Sequence, residues 1–422
     1  MLIFPSLERL RKYLEFEYGI KLSSSDFAYE LPPVGMRGDI ALNCFKLSKY
    51  LKIKPEETAN KIHSFFAVDP DVLYAEKLKG FVNIELSPSS VHSVLLNDVS
   101  ELINSALLPA EFRRTYIVEY SAPNTNKPMH LGHVRNNCLG LAISQILKNA
   151  GHNVYTVNLI NDRGIHICKS MLAYQRYGNG ASPESTGLKG DHFVGNFYVK
   201  FDQELRKQLE ELKQEKPELK DKKEDELFLQ TEIGSSAQKM LLDWENRDTE
   251  TVALWKKMND WVVSGFEQTY KRMGISFDKI YFESQTYLLG KDIILDGLQK
   301  GIFYKAENGA VLVDLEKENF GKKVLLRADG TSVYITQDIG TTIKKAEDFK
   351  PDAQIWIVGD EQILHFKILF AIIRKLGYEW AKNLYHLAYG MVNLPSGKMK
   401  SREGTVVDAD DLFEQMNTLA RE

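Results

Sequence analysis

Thr115–His133 reads TYIVEYSAPNTNKPMHLGH. Five of its first six residues are β-branched or aromatic in the manner of a buried strand, and the middle is a polar loop broken by Pro123 and Pro128. Apolar spacing at Leu139, Ala142, Ile146 and Leu147 then marks a helix, and a second strand pattern follows around Val154 to Leu159. Strand, helix and strand in that order predict a β-α-β unit of a parallel sheet. His130 and His133 fall where the helix opens, so unpaired backbone N–H groups and the helix dipole favour a phosphate there. Gly132 carries no side chain and lets a base or ribose approach the backbone. The two histidines, one turn apart, can both donate to an α-phosphate as its charge develops. Taken alone, the pair also fits a surface histidine pair or a metal pair.

Working outward, the same sheet pattern resumes late in the chain. An Asp329-Gly330 turn separates apolar runs, Ile355 to Val358 reads as a buried strand, and Leu384 to Leu394 leads into the loop SGKMKSREG. Between Tyr174 and about Ile280 the pattern is polar and helical, which predicts an insertion between two halves of the sheet. Its charge run from Gln203 to Glu226 reads as a solvated helical face or hairpin. Trp255, Met258, Val262, Phe266 and Tyr270 recur at helical spacing and are expected in a core. From Ser6 to about Ala110 the chain reads as a small α+β appendage with one strand pair, Val72 to Tyr74 and Phe81 to Leu86. Its helices are expected along Leu7 to Leu14, from about Ile40 to Leu51, from Pro55 and over Val91 to Leu107.

A chain of 422 residues is long enough for two or three domains. It has 43% apolar and 27% charged residues, no bilayer-length apolar run and no secretory leader at Met1 to Leu10, which predicts a soluble cytoplasmic protein away from membranes. Cys44, Cys138 and Cys168 form no C-x-x-C pair, so neither a disulfide framework nor a thiolate zinc site is expected, and all three read as packing residues. The net charge of -4 gives no global attraction to nucleic acid, so RNA contact must rely on local basic patches.

The segment SAPNTNKPMHLGH resembles the HIGH signature of class I aminoacyl-tRNA synthetases, and SAPNTNKP resembles its arginyl branch. The second signature of that class, KMSKS, is matched by Lys398, Met399, Lys400, Ser401 and Arg402. Two signatures in order, at the ends of two sheet halves, reinforce each other. The match departs at one point: the family's second loop lysine falls at Ser401, and Lys400 stands one place earlier. Arginyl enzymes that lack that lysine carry one ahead of the HIGH motif, where this chain has Lys127. The resemblance implies ATP contacts from His130, Gly132, His133, Lys398, Met399, Lys400 and Ser401, with Lys127 and Lys398 on the phosphates beside the two histidines. It also implies Mg²⁺ carried with ATP and no protein-held metal.

A guanidinium is selected by carboxylates that pair its planar fork. By resemblance, Glu119 and Asn124 occupy arginine-contacting positions ahead of the HIGH motif, and Glu283 lies in FES, which is similar to the family's G-E-S element. Tyr334 and Asp338 in YITQD resemble Y-x-T-R-D, with Gln337 replacing the arginine. Gln362 in VGDEQILHF matches a further polar contact. Glu119, read on a central strand, needs a ligand or a basic neighbour, because unpaired burial costs several kcal/mol. MRGDIALN (36–43) and GFVNIELS (80–87) resemble segments of the family's N-terminal domain, which touches the elbow of tRNA.

The expected architecture is α/β: an N-terminal α+β domain over 1–110, then a Rossmann-like class I catalytic domain over 111–422 with a helical insertion at about 174–280. The family's C-terminal anticodon-binding domain is expected to be absent after Glu422. The implied function is an arginine-tRNA ligase acting as a monomer on L-arginine, ATP and tRNA(Arg), with its activity expected to be impaired in this shortened chain. Two other readings are a non-catalytic RNA-binding or regulatory paralogue, and a class I enzyme for another amino acid. Tyr334, Asp338 and SAPNTNKP argue against the last.

Overall fold

The computed structural model describes residues 4–97, 107–394, 397–398 and 407–422. The chain divides into two compact units, Met1–Ala110 and Glu111–Glu422.

The first unit opens with helix α1 (Pro5–Tyr18), which has proline at its first position and ends at Gly19 in the left-handed region. Leu7, Leu10 and Leu14 fall on one face and are fully buried. Strands β1 (Ala28–Glu30), β2 (Ile40–Asn43), β3 (Val72–Leu78) and β4 (Phe81–Leu86) form an antiparallel sheet in the order β1-β2-β4-β3. Helices α2 (Cys44–Leu51), α3 (Pro55–Phe66) and α4 (Pro88–Asn97) complete the unit. Two expectations are corrected. The sheet has four strands rather than one pair, and Ile40–Asn43 is a strand rather than the start of a helix. The helix begins only after Asn43, whose side chain accepts from Phe45 N and caps it.

The second unit is built on a five-stranded sheet, parallel throughout, in the order β12-β11-β5-β6-β7. Its strands are β5 (Thr115–Glu119), β6 (Asn153–Ile160), β7 (Lys279–Phe282), β11 (Ala353–Gly359) and β12 (Leu384–Tyr389). Helix α5 (Leu131–Asn149) joins β5 to β6 and packs closely enough on Tyr120 that a Cβ on Gly140 would lie 2.2 Å from its ring. The helices α6 (Ile165–Tyr177), α7 (Gly190–Glu215), α8 (Glu232–Glu245) and α9 (Thr249–Met273) separate β6 from β7. The charge run covers the end of α7 and short turns after it, and Leu205, Leu209, Leu219 and Leu227 bury its apolar side. In α9, Met258, Val262, Phe266 and Tyr270 are core residues.

Between β7 and β11 lie α10 (Leu289–Gln299), a three-stranded antiparallel sheet of β8 (Tyr304–Lys305), β9 (Val311–Leu315) and β10 (Gly321–Leu326), and α11 (Tyr334–Phe349). That small sheet is absent from the sequence reading. Helix α12 (Ile363–Lys375) joins β11 to β12, the pair β13 (Asn393–Leu394) and β14 (Gly397–Lys398) follows, and α13 (Ala409–Arg421) ends the chain. Cys44 and Cys168 are buried, but Cys138 is exposed on α5, because its position faces away from the sheet. Among the described residues no helix is long and apolar enough to cross a membrane.

Candidate active site

The carboxyl ends of β5, β6, β7 and β11 deliver Glu119, Asp162, Glu283 and Gln362 respectively, as expected of an open parallel sheet that binds a ligand beyond its strand ends. After β5 the chain turns through Ser121 (φ 81) and Ala122 (φ 45), both left-handed without being glycine. A buried polar network imposes this turn. Ser121 N donates to Asn136 Oδ1 (2.6 Å), Ala122 N donates to Asn158 Oδ1 (3.0 Å), and the Ser121 hydroxyl meets the Tyr270 hydroxyl at 2.6 Å. Asn158 Nδ2 donates to the same Tyr270 oxygen at 3.0 Å. Tyr270 is therefore both a core residue and a tie that holds the loop. Asn124, exposed beyond the turn, pairs with Asn161 in an isolated parallel bridge.

His130 is the N-cap of α5, and the two histidines form a reciprocal cap. Gly132 N donates to His130 Nδ1 and His130 N donates to His133 Nδ1, each at 3.1 Å. A ring nitrogen that accepts carries no proton, so each neutral imidazole keeps its hydrogen on Nε2. Burial first and Lys127 second lower the His130 pKa to about 4, and burial, His130 and Lys127 drive that of His133 well below the usual range. At neutral pH the helix start thus presents two uncharged N–H donors. The Nδ1 atoms are committed to the backbone, which disfavours the metal-pair reading. Lys127, His130, His192 and Asp408 line one cavity with residues of α7. Lys398 is described only through its backbone, paired with Asn393. Met399, Lys400, Ser401 and Arg402 lie outside the described residues. Val407–Ala409 is joined to the histidine segment: Leu131 N donates to Val407 O (2.9 Å) and Ala409 N donates to Met129 O (3.0 Å).

The acidic side of the site lies around Tyr334, whose ring is 65% exposed. Its hydroxyl pKa is raised above the usual phenol range by Asp338 first, with Glu283 and Glu119 adding to it, so the fields of three carboxylates act on this ring. Asp338 Oδ2 lies 2.6 Å from Nε2 of His365, whose own ring is 5.2 Å from that of Tyr334. The Glu283 pKa is pushed up to about 7 by burial, then by Asp162 and Asp338 against the opposing Arg163. Asp162, raised by its burial, accepts from Ser284 N (2.8 Å) and Ser284 Oγ (2.6 Å). Glu119 has the basic neighbour its burial requires: Lys345 Nζ pairs with Glu119 Oε2 in the interior and lies 4.8 Å from the Trp356 ring centroid. Tyr334, Asp338, Glu283 and Glu119 are therefore grouped, whereas Gln362 caps α12 on the neighbouring strand end.

Sequence reasoning missed Asp162, Arg163, Ser284, Lys345 and His365. Three of these had a signal: Asp162 stands two residues past an apolar strand run, while Ser284 and His365 sit inside the quoted FES and VGDEQILHF segments. Lys345, in the middle of an amphipathic helix, had none.

The Glu283 pKa predicts a pH dependence. A bound cation favours the carboxylate, so cation affinity should rise with pH until about 7 and level off above it, the proton being lost on binding at lower pH. Calorimetry of guanidinium-ligand binding from pH 5.5 to 8 checks this. Glu283→Gln should flatten the slope, and an unaltered slope would remove Glu283 from the site.

Residues 91–422 match the family model for the catalytic domain of class I (R) tRNA synthetases, and residues 7–86 match that for the arginyl tRNA synthetase N-terminal domain. The chain is similar to an arginine--tRNA ligase of Parabacteroides distasonis, 47% identical over 407 residues, covering 96% of this chain and 67% of the relative. It is similar to that of Bacteroides thetaiotaomicron at 50% identity over 387 residues, covering 91% and 64%. Among solved structures it resembles the Thermus thermophilus arginyl-tRNA synthetase in fold, with a TM-score of 0.60 and 23% identity over 100% of this chain and 70% of that one. The chain thus spans about two thirds of the length of the curated relatives it matches.

Proposed function

The chain belongs to the class I arginyl-tRNA synthetase family, and from that premise we propose that it uses ATP to activate L-arginine and transfers the arginyl group to the 3′ end of tRNA(Arg). The observation that carries the reading is the pairing of two different subsites at the ends of one sheet: two neutral N–H donors at a helix start, and a carboxylate cluster around Tyr334. The first suits a phosphate gaining negative charge, the second a guanidinium.

In this reading arginine lies with its side chain toward Asp338, Glu283 and Tyr334 and its carboxylate toward the histidines. Glu119, Asn124 and Gln362 supply the remaining polar contacts, with Asn124 toward the α-amino and carboxylate end. The arginine carboxylate attacks the α-phosphate in line, and pyrophosphate leaves. His130 and His133 donate through Nε2 to the crowded phosphate, Gly132 leaves room for the nucleotide, and Lys127 and Lys398 meet the phosphates. Met399, Lys400 and Ser401 are proposed to complete the nucleotide contacts. Mg²⁺ bound with ATP would neutralise the leaving phosphates, held by phosphate oxygens and water rather than by the histidines, whose Nδ1 atoms are already engaged. The N-terminal unit is proposed to contact the tRNA elbow. A monomer working in the cytoplasm is the setting this reading implies. A non-catalytic paralogue is disfavoured because the histidine donors, the strained loop and the acid cluster are all assembled.

The test is ATP–pyrophosphate exchange with each amino acid in the presence of tRNA(Arg). Exchange should depend on arginine alone, and exchange with another amino acid, or none, would reject the proposal. Replacing Lys127 by alanine should slow adenylate formation by roughly ten- to a hundredfold, the value of one charge-assisted phosphate contact. Lys400→Ala should have a mild effect, and the reverse ranking in single-turnover assays would transfer the phosphate role to the loop.

A further inference from the structure

Next to the histidine pair lies an ion-pair junction that the proposed chemistry does not use. Lys189, the N-cap of α7, is 3.0 Å from Asp191 Oδ2, 2.6 Å from Asp410 Oδ2 and 2.5 Å from Thr269 Oγ1. His192 Nε2 lies 3.3 Å from Asp410 Oδ2 and 3.4 Å from Asp408 Oδ2. Arg272 of α9 reaches Asp410 at 3.3 Å. Asp191, His192 and Asp410 offer ligand atoms within 4.8 Å of one another. Lys189 already places its ammonium against both carboxylates, so this is a clamp rather than a cation site.

The clamp has a definite line of action. Asp408 and Asp410 flank Ala409, and Val407–Ala409 is hydrogen-bonded to Met129–Leu131, with an isolated bridge between His130 and Asp408. The insertion helices therefore hold the short segment that in turn holds the N-cap histidine. We propose that Lys189 and His192 are positioning residues that set the aim of His130 and His133 through Asp408 and Asp410. The inference rests on the functional reading above. The groups facing His192 are Asp191 and Lys189 from the start of α7, Asp408 and Asp410 from the start of α13, and Lys127 and His130 across the cavity. Its contact with Asp410 first, then Asp408 and Asp191, raises its pKa against the burial that lowers it. The protonated ring therefore supports the clamp below the raised value, and that support is lost as pH rises through it.

The test is ATP–pyrophosphate exchange with arginine and tRNA(Arg), with kcat expressed per titrated active site. Lys189→Met should lower kcat about tenfold, as for donors displaced by a fraction of an ångström, with the KM for arginine unchanged. Lys189→Arg should restore most of the rate. His192→Asn should remove the fall in kcat that the parent shows above the usual imidazole range. If Lys189→Met does not fold, Asp410→Asn carries the same prediction with less change of shape. Unchanged kcat per active site, or a lower melting midpoint as the only effect, overturns the inference. Absence of arginine-dependent exchange in the parent would instead overturn the functional reading.

Discussion

Arginine binding should weaken by about 2 to 5 kcal/mol, roughly thirtyfold to several thousandfold, when Asp338 is replaced by alanine. Asp338 stands in the first turns of α11, where His365 at 2.6 Å fixes its carboxylate and the tilted ring of Tyr334 closes one side. A guanidinium arriving there gains a forked pair with a carboxylate whose orientation is already set, so little is lost in ordering it. Removing the carboxylate leaves the cation facing Glu283, which near neutrality is only partly ionised, and deprives His365 of its partner. Asp338→Asn keeps the shape and should still lose most of the affinity, because the charge carries the discrimination against neutral side chains. ATP binding, proposed at the histidine pair, should be unchanged. Equal arginine affinities for parent and variant in calorimetry would refute the placement.

The second large effect is expected at His133. Its Nδ1 accepts from the backbone of His130 and its proton is thereby directed to Nε2, so the donor is oriented before any substrate arrives. Donors of this kind matter most when charge develops on the phosphate, and losing one should slow adenylate formation by about two to three powers of ten with ATP affinity nearly unchanged. His133→Ala also removes half of the reciprocal cap, which costs about 0.5 to 2 kcal/mol of stability. Rapid-quench rates per active site, measured well below the melting midpoint, separate the two effects. A variant as fast as the parent, or stoichiometric zinc on the pair with chelator-sensitive activity, would show that the histidines do something else. Because the His130 pKa lies at about 4 and that of His133 well below the usual range, neither ring should add an acid limb near neutral pH.

What could be read from sequence follows from how local each feature is. The strand, loop and helix around His130 are contiguous, and their periodicity and breakers announced a parallel sheet with a helix opening at the histidines. The insertion was visible because its polarity and helical spacing differ from the sheet pattern on both sides. Ile40–Asn43 was misassigned because a four-residue strand running into a helix leaves a single apolar stretch of ambiguous period. The strands of the small antiparallel sheet are short, and Lys322 and Lys323 interrupt their apolar pattern. In the candidate site, residues near a motif were found. Lys345 and His192 depend on partners 226 and more than 200 positions away, and one-dimensional spacing holds no trace of such pairs. The same limit concealed which residue is the basic neighbour that a buried Glu119 requires, namely Lys345.

The order of the large sheet has a consequence for synthesis. Strand β5 is central, but its neighbour β11 comes far later: the bond from Thr115 N to Asp352 spans 237 residues. At about 5 to 20 residues per second, a ribosome needs roughly 12 to 50 s to deliver that partner. For that interval β5 and β6 have only β7 to extend them, and the flank of β5 that later receives β11 is an uncapped template for stray strands. The nascent chain carries an unfinished central sheet throughout that interval, so translation speed and chaperone capture should influence its yield.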